Sequence, residues 1–179
     1  SFAFGGENAQ RELLEKEGFT VHLTREKDAL LGPVNSTSKK KDDMIARIEM
    51  ISEINPFFTI SIHQNKFPES QYYGTQIFYS ANNKKSEILA ENIKNSVVNL
   101  LQNDNTRECK RAGSEILVLN KSSVPTVLVE CGFLSNETEA KLLENEEYQN
   151  KIAYSIFLGI LEFENTKIRG YLEYVFENI

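Results

Sequence analysis

Residues 124–136 read VPTVLVECGFLSN and carry the most information about the fold of this chain. An almost uninterrupted apolar run occupies residues 124–130 and predicts a short strand that is covered on both faces of a sheet. Asn136 then has the side chain of a helix N-cap, with Glu139 three residues further on as its capping-box partner. A buried strand followed directly by a capped helix is typical of an α/β protein.

The same alternation of strands and helices extends to both sides of this stretch. Residues 57–63 and 73–79 have strand patterns, and residues 84–102 place apolar side chains at helical spacing. The pattern predicts one α/β domain over residues 1–164, with a mostly parallel twisted sheet and helices on both faces, followed by a C-terminal tail over residues 165–179. Further strands are expected at 19–24 and 116–119, further helices at 7–17, 42–54 and 147–163, and a long polar loop at 26–41.

Composition argues against two classes of protein. The 179-residue chain has a formal net charge of −6 and no basic block denser than Lys39, Lys40 and Lys41. A nucleic-acid-binding protein needs a cationic face that neutralises phosphates, so no nucleic-acid partner is expected. No apolar run reaches the ~20 residues that span a bilayer, so the chain as given is not expected to be transmembrane. No signal peptide is visible at Ser1, and an exported protein whose leader had been removed would begin in the same way.

Three predicted strands end in side chains that carry chemistry. Arg25, His63 and Glu130 each lie at the end of an apolar or alternating segment. Open α/β sheets bind ligands at the carboxyl ends of their strands, so these side chains are expected on the rim of the sheet. A lone histidine at a strand end often has only a structural role. A carboxylate that ends an apolar strand is expected to be partly buried with a raised pKa, so Glu130 is either paired or catalytic.

The segments around these residues resemble the signatures of a known enzyme family. Residues 61–65, SIHQN, and residues 125–136, PTVLVECGFLSN, are similar to the two signature segments of the zinc-dependent N-acetylmuramoyl-L-alanine amidases. Residues 23–25, LTR, resemble a strand of that family that ends in a Thr-Arg pair, and Arg47 matches a usual arginine. The resemblance covers residues 13–163 in the family's order, and the spore-cortex amidases are the members that the chain most resembles.

The resemblance implies a hydrolase that cleaves the amide bond between N-acetylmuramic acid and L-alanine in peptidoglycan. Members of the family hold one Zn²⁺ ion with His, Glu and His ligands and leave the fourth position to water. His63 would be one zinc ligand, and Glu130 would be the carboxylate that takes a proton from the water and passes it to the leaving amine. Asn65 and Arg25 would contact the substrate. The implied location is the bacterial cell envelope outside the cytoplasm, with the protein secreted or anchored through a segment not in this chain.

The start of the chain departs from the family's pattern. The family opens with an apolar strand and a Gly-His-Gly-Gly-like turn that supplies the first histidine ligand, whereas this sequence contains only His22 and His63. Either the Gly-Gly pair at residues 5–6 is the remnant of that turn, with Phe4 in the place of the histidine, or the strand and turn lie outside this chain or are missing from it. Glu7 is the candidate for the glutamate ligand, and the alternative is an acidic residue that favours the helix N-terminus.

Two other functions compete with the zinc amidase. The first is an inactive or partner-dependent module that binds peptidoglycan or a protein, with a partner that completes or activates the incomplete metal site. The second is a cysteine hydrolase that uses Cys131. No second histidine lies at a predicted strand end to activate that thiol, and a buried cysteine that acts as a small hydrophobic residue fits the sequence better.

Overall fold

The computed structural model describes the backbone of residues 9–24, 30–33, 35 and 37–176, and side chains in these ranges from residue 10 to residue 166. This part of the chain forms six helices and four strands. In chain order they are α1 (Ala9–Lys16), α2 (Lys39–Ile54), β1 (Thr59–Asn65), β2 (Gln76–Tyr79), α3 (Lys85–Leu100), β3 (Lys110–Arg111), α4 (Leu117–Lys121), β4 (Thr126–Phe133), α5 (Glu137–Glu144) and α6 (Glu146–Phe176).

The strands in the described part of the chain form one mixed sheet in the order β1-β4-β2-β3. β1 and β4 are parallel, β2 and β3 are parallel, and β2 and β4 are antiparallel. A parallel connection needs about a dozen residues or more and usually contains a helix. The shorter link over residues 66–75 contains no helix, so β2 runs back in the opposite direction. The predicted single α/β domain is confirmed, and its mostly parallel sheet includes this one antiparallel pairing.

The main core lies on the face of the sheet that carries alternate residues of β4. Val127, Val129 and Cys131 are fully buried and belong to one cluster with buried side chains of α3 and α6. Burying an aliphatic side chain of this size contributes roughly 1.5–3 kcal/mol. Because successive side chains of a strand point to opposite faces, Glu130 projects from the face opposite this core. The apolar residues of β4 therefore anchor the strand that carries Glu130.

The helices α3 and α6 approach each other closely at a glycine. A Cβ atom added to Gly159 of α6 would lie 2.5 Å from the Cα atom of Ile93 in α3. Side-chain carbon atoms do not approach a neighbouring backbone this closely, so the helix packing requires a residue without a Cβ atom at this position. The contact closes the core on the side away from Glu130.

The strand expected at residues 19–24 is wrong. In the described part of the chain this segment pairs with no strand, although Phe19 and Val21 are partly buried against the main core. The alternation of apolar and polar residues reflects this one-sided packing. A strand also needs a hydrogen-bonded neighbour, and the alternation carries no information about that neighbour.

The strand expected at residues 116–119 is also wrong, because these residues begin the short helix α4. The backbone N–H of Asn120 donates to the carbonyl oxygen of Ile116 at 2.9 Å, and the N–H of Ser122 donates to that of Val118 at 3.1 Å. A four-residue apolar run is compatible with a strand and with a buried helical turn. These two hydrogen bonds have the i to i−4 spacing of a helical turn.

The longer helices lie where the sequence predicts them, with shifted ends. α2 begins at Lys39, so the lysine triplet expected in a loop forms the first turn of a helix. α6 continues to Phe176, so the predicted tail at 165–179 begins inside this helix. No helix in the described ranges is both long enough and apolar enough to cross a membrane.

Candidate active site

The candidate site lies where β1 and β4 run side by side. The strand register places His63 directly opposite Glu130. Neighbouring strands lie ~4.8 Å apart, and residues opposite each other project to the same face of the sheet. His63 is exposed and Glu130 is partly buried. The structure therefore brings together two residues that the sequence singles out, one open to solvent and one in a drier environment.

The environment of Glu130 disfavours its charged form. Burial raises the pKa of its carboxyl group to about 7, as expected from the apolar strand that carries it. Its Oε2 atom is buried and has no hydrogen-bond partner in the described part of the chain. An unpaired buried oxygen destabilises a fold by roughly 1–3 kcal/mol, so native proteins contain few of them. Within the described part of the chain, no ion pair includes Glu130.

Gln76 lies on the other side of Glu130. The register of β2 and β4 places these two residues opposite each other, so His63, Glu130 and Gln76 form a row across three strands. The buried amide of Gln76 donates to the carbonyl oxygen of Glu108 at 2.8 Å and accepts a long, 3.5 Å hydrogen bond from Arg107. A glutamine in a strand has no sequence signature, and only the register identifies this member of the row.

A β-bulge changes the direction of side chains at the end of β4. Two steps along β1, from His63 to Asn65, match three steps along β4, from Glu130 to Phe133. The extra residue inverts the alternation of β4, so Phe133 projects to the same face as Glu130. Asn65 is opposite Phe133, and the predicted substrate-binding residue thus shares the face of His63 and Glu130.

The loop between β1 and β2 is held over this edge by residues that follow β4. The hydroxyl oxygen of Ser135 accepts from the N–H of Phe67 at 3.2 Å, and the amide of Asn136 donates to the carbonyl oxygen of Tyr72 at 3.3 Å. The rings of Phe67 and Tyr72 contact each other at 5.1 Å between centroids and are 46% and 37% exposed. An aromatic surface open to solvent therefore borders the site.

The buried carboxylate of Glu139 stabilises the same edge of the sheet through hydrogen bonds to two backbone N–H groups. It accepts from the N–H of Gly74 at 2.8 Å and from the N–H of Phe133 at 2.7 Å. Asn136 is the N-cap of α5, as predicted, because its side chain accepts from the N–H groups of Thr138 and Glu139. The predicted capping box is wrong, since the carboxylate of Glu139 bonds to two other segments and not back to the cap.

Neither thiol is suited to nucleophilic catalysis. Burial raises the pKa of Cys131 well above its ordinary value, with the nearby Glu130 carboxylate as a second cause. Burial also raises the pKa of Cys109, and the carboxylate of Glu91 adds to the effect. Both sulfurs remain protonated at neutral pH, whereas the nucleophile of a cysteine hydrolase is the thiolate. This is evidence against the cysteine hydrolase.

The structure does not assemble a full set of metal ligands from the described residues. Glu7 and Arg25 lie outside the described residues. His22 lines an open pocket of about 650 Å³ between the end of α1 and α6, and neither His63 nor Glu130 lines this pocket. Within ranges 9–24, 30–33, 35 and 37–176, no three His, Cys, Asp or Glu side chains are grouped to hold a metal ion.

Arg47 connects α2 to the segment that precedes Arg25. Its guanidinium group donates to the carboxylate of Asp43 at 2.9 Å and to the hydroxyl of Thr24 at 2.8 Å. Asp43 also accepts from the backbone N–H of Leu31 at 2.8 Å. The family-like residues Thr24 and Arg47 thus have a structural role here, while the Gly-Gly pair and Phe4 of the expected first turn lie outside the described residues.

Comparison with known proteins gives a consistent set of relatives. Residues 6–162 match the family described as N-acetylmuramoyl-L-alanine amidase. The germination-specific N-acetylmuramoyl-L-alanine amidase of Bacillus subtilis is 36% identical over 160 residues, which cover 88% of this chain and 67% of that protein. An uncharacterized cell wall amidase of Bacillus anthracis is 31% identical over 88% of this chain and 30% of its own length. The structure of the CwlD amidase from Clostridioides difficile in complex with the GerS lipoprotein has 40% identity and a TM-score of 0.84, and the match covers 88% of this chain and 82% of that one.

The fold and these relatives define an amide hydrolase. The chain belongs to the N-acetylmuramoyl-L-alanine amidase family, an enzyme class that hydrolyses the amide bond between N-acetylmuramic acid and L-alanine in peptidoglycan. Its similarity to the germination-specific enzyme and to CwlD supports the spore-cortex type that the sequence resembles.

Proposed function

We propose that this chain hydrolyses the N-acetylmuramoyl–L-alanine bond in a zinc-dependent reaction, with His63 as a zinc ligand and Glu130 as the catalytic carboxylate. The pairing of His63 with Glu130 in the strand register, beside the buried and unpartnered Oε2 atom, is the observation that supports these roles. A carboxylate that only stabilised the sheet would be expected to have a partner for that oxygen.

The described residues would supply part of the proposed zinc site. An imidazole is an ordinary zinc ligand, and His63 is exposed, so its ring is accessible to a metal ion. A catalytic zinc usually has three protein ligands, and we propose Glu7, outside the described residues, as a further one. When bound, Zn²⁺ would acidify a water molecule and polarise the scissile carbonyl group.

Glu130 has the properties of a group that moves a proton in both directions. Its pKa of about 7 lies near neutral pH, so the group both accepts and returns a proton readily. Amide hydrolysis requires both steps, because the nucleophile must lose a proton and the leaving amine must gain one. The unpartnered Oε2 atom has no hydrogen bond that must break first.

Asn65 and Arg25 are proposed to hold the substrate next to this carboxylate. Asn65 shares the face of His63, and its backbone is fixed because its carbonyl oxygen accepts from the N–H of Leu134 at 2.8 Å. We propose that its side-chain amide bonds to an amide group of the substrate. Arg25 follows Thr24, whose hydroxyl group is bound by Arg47.

Location and partner are also proposed from the relatives. The relatives include cell wall amidases, and CwlD was solved together with a lipoprotein. We propose that this protein acts on peptidoglycan in the bacterial cell envelope outside the cytoplasm, secreted or anchored. We also propose that a protein partner completes or activates its metal site.

A peptidoglycan-binding or protein-binding module without catalysis is the second candidate function. Its supporting observation is that the described residues contain no group of three metal-binding side chains. The two candidates differ in what they require of Glu130, because a binding module does not need a proton acceptor with a raised pKa.

Release of new amino groups from purified cell walls tests the proposed function. The unaltered protein should hydrolyse the walls with added zinc and lose activity in EDTA, and His63→Ala should lose zinc affinity. Glu130→Gln should keep zinc and peptidoglycan binding while hydrolysis falls by orders of magnitude. Glu53→Gln, at an exposed position of α2, is the control. A stable, zinc-loaded and fully active Glu130→Gln protein would contradict the catalytic role, and binding without hydrolysis by the unaltered protein would support the second candidate.

A further inference from the structure

Arg107 lies beside the candidate site and is oriented by neutral groups. Its Nε atom donates to the carbonyl oxygen of Tyr73 at 2.6 Å, and Nη1 donates to Oε1 of Gln76 at 3.5 Å. The guanidinium carbon lies 4.7 Å from the ring centroid of Phe133 and 5.6 Å from that of Tyr72. Stacking against two rings and bonding to two oxygens favour this orientation of the guanidinium group.

This positive charge has no carboxylate partner among the described residues. No ion pair includes Arg107, and its Nη2 group forms no hydrogen bond within the described part of the chain. The aromatic rings and carbonyl groups orient the guanidinium but do not neutralise it. An oriented guanidinium with free N–H groups is suited to bind a carboxylate through two parallel hydrogen bonds.

The position of Arg107 relative to Glu130 follows from the sheet. Gln76 is opposite Glu130, so the two side chains share a face, and the bulge brings the ring of Phe133 to that face as well. Arg107 contacts both Gln76 and Phe133. One strand spacing of ~4.8 Å and the hydrogen bond to Gln76 place the guanidinium group roughly 8 Å from the Glu130 side chain.

We propose that Arg107 binds a carboxylate on the second stem-peptide residue beyond the scissile bond and so selects acidic over amidated stem peptides. The inference rests on the proposed function, in which Glu130 acts at the bond to L-alanine. An extended peptide advances ~3.3–3.6 Å per residue, so a carboxylate two residues away lies ~7 Å from the reacting atoms, which matches the position of Arg107. Arg107 is thus a specificity residue and takes no part in proton transfer.

Calorimetric titration with two muramyl dipeptides tests this inference. N-acetylmuramoyl-L-alanyl-D-glutamate carries the α-carboxylate, and N-acetylmuramoyl-L-alanyl-D-isoglutamine carries an amide in its place. The zinc-supplemented Glu130→Gln protein, which should not cleave them, is the host. It should bind the acid at least ~10-fold more tightly, as expected for a hydrogen-bonded ion pair. Adding Arg107→Gln should weaken binding of the acidic dipeptide, so that the ratio of the two Kd values becomes about one. Arg107→Lys should retain part of the preference for the acidic dipeptide.

Arg111→Gln is the matched control, because it removes the same charge from the exposed strand β3 and should leave the ratio unchanged. Equal affinity of the host protein for both dipeptides, or no binding of either at millimolar concentration, would overturn the inference. An equal loss of affinity for both dipeptides in Arg107→Gln, together with a lower Tm, would show that Arg107 only supports the loop. Failure of the proposed function has a different signature, in which the unaltered protein with zinc releases nothing from cell walls while the preference for the acid persists.

Discussion

Replacing Glu130 with glutamine should stabilise the metal-free protein at alkaline pH while it abolishes hydrolysis. The substitution keeps the shape of the side chain and removes a charge that the fold must hold in a partly buried place. A residue that is kept for function at the expense of stability shows this combination. If Glu130 instead held the sheet together, its replacement would destabilise the protein and leave much of the hydrolysis.

The sign and size of the effect follow from the pKa of Glu130. Burial raises this pKa from 4.5 to about 7, so the folded protein binds the Glu130 proton more tightly than the unfolded chain does. The free energy of unfolding therefore decreases as the pH rises from 4.5 to about 7 and remains low above pH 7. The full difference corresponds to ~3.4 kcal/mol, and solvent screening of this partly buried group reduces it to roughly 1–2 kcal/mol.

Thermal unfolding in EDTA at pH 5 and pH 8 measures the effect. Glu130→Gln should raise the Tm at pH 8 by roughly 2–8 °C and should change it much less at pH 5, where the carboxyl group is protonated in the folded protein. Glu53→Gln, at an exposed position of α2, is the control for removing a charge. A lower Tm at pH 8 would contradict this prediction, because it would show that the Glu130 carboxylate stabilises the fold.

Two further substitutions test buried contacts, an alkylation experiment tests the thiols, and dialysis tests the metal site. Glu139→Ala should lower the free energy of unfolding by ~2–4 kcal/mol in urea titrations, because two buried N–H groups lose their acceptor, whereas the exposed Glu137→Ala should have little effect. Gly159→Val should lower the Tm because its side chain collides with the α3 backbone, and an unchanged Tm would contradict that packing. Cys109 and Cys131 should resist iodoacetamide at pH 7.5 in the native protein and react in denaturant, and rapid native alkylation would reopen the cysteine hydrolase. Dialysis of the isolated chain should remove zinc unless a partner is present, and stoichiometric zinc after dialysis would show that the ligand set is complete.

Local sequence predicts the centre of this protein well. The apolar run before Glu130 forms the central strand β4, and Asn136 caps α5 as expected. Both features depend on side chains within a few residues of each other. The partial burial and raised pKa of Glu130 follow from the same local pattern, because an acidic residue that ends a buried strand loses part of its water shell.

Structure that depends on a distant partner does not follow from the local sequence. Residues 19–24 have the alternation of a strand but no strand beside them, and residues 116–119 have the apolar content of a strand but the hydrogen bonds of a helix. The antiparallel direction of β2 depends on the length of the link before it. In each case the missing information is which backbone groups bond to which, and side-chain pattern alone does not contain it.

In the candidate site, too, some features follow from local sequence and others depend on the pairing of distant segments. The sequence singles out His63 and Glu130 one by one, and the strand register then shows that they are neighbours. Gln76 and Arg107 have no signal in the sequence, because each reaches the site through pairing or contact with a distant segment. The β1–β4 and β2–β4 registers together identify the row of His63, Glu130 and Gln76.

The bulge in β4 explains how one strand serves both the core and the site. Without the extra residue, Phe133 would continue the core side of the alternation that Val129 and Cys131 follow, and the ring that Arg107 stacks on would be absent from the face of Glu130. Glu139 holds the backbone immediately after the bulge through the N–H of Phe133. The irregular backbone is therefore stabilised from the buried side, by a group that does not face the substrate. The residues that stabilise this edge of the sheet are therefore different from those proposed to act on the substrate. Glu139→Ala should destabilise the edge and weaken the preference for the acidic dipeptide. Arg107→Gln should remove that preference and leave the edge intact.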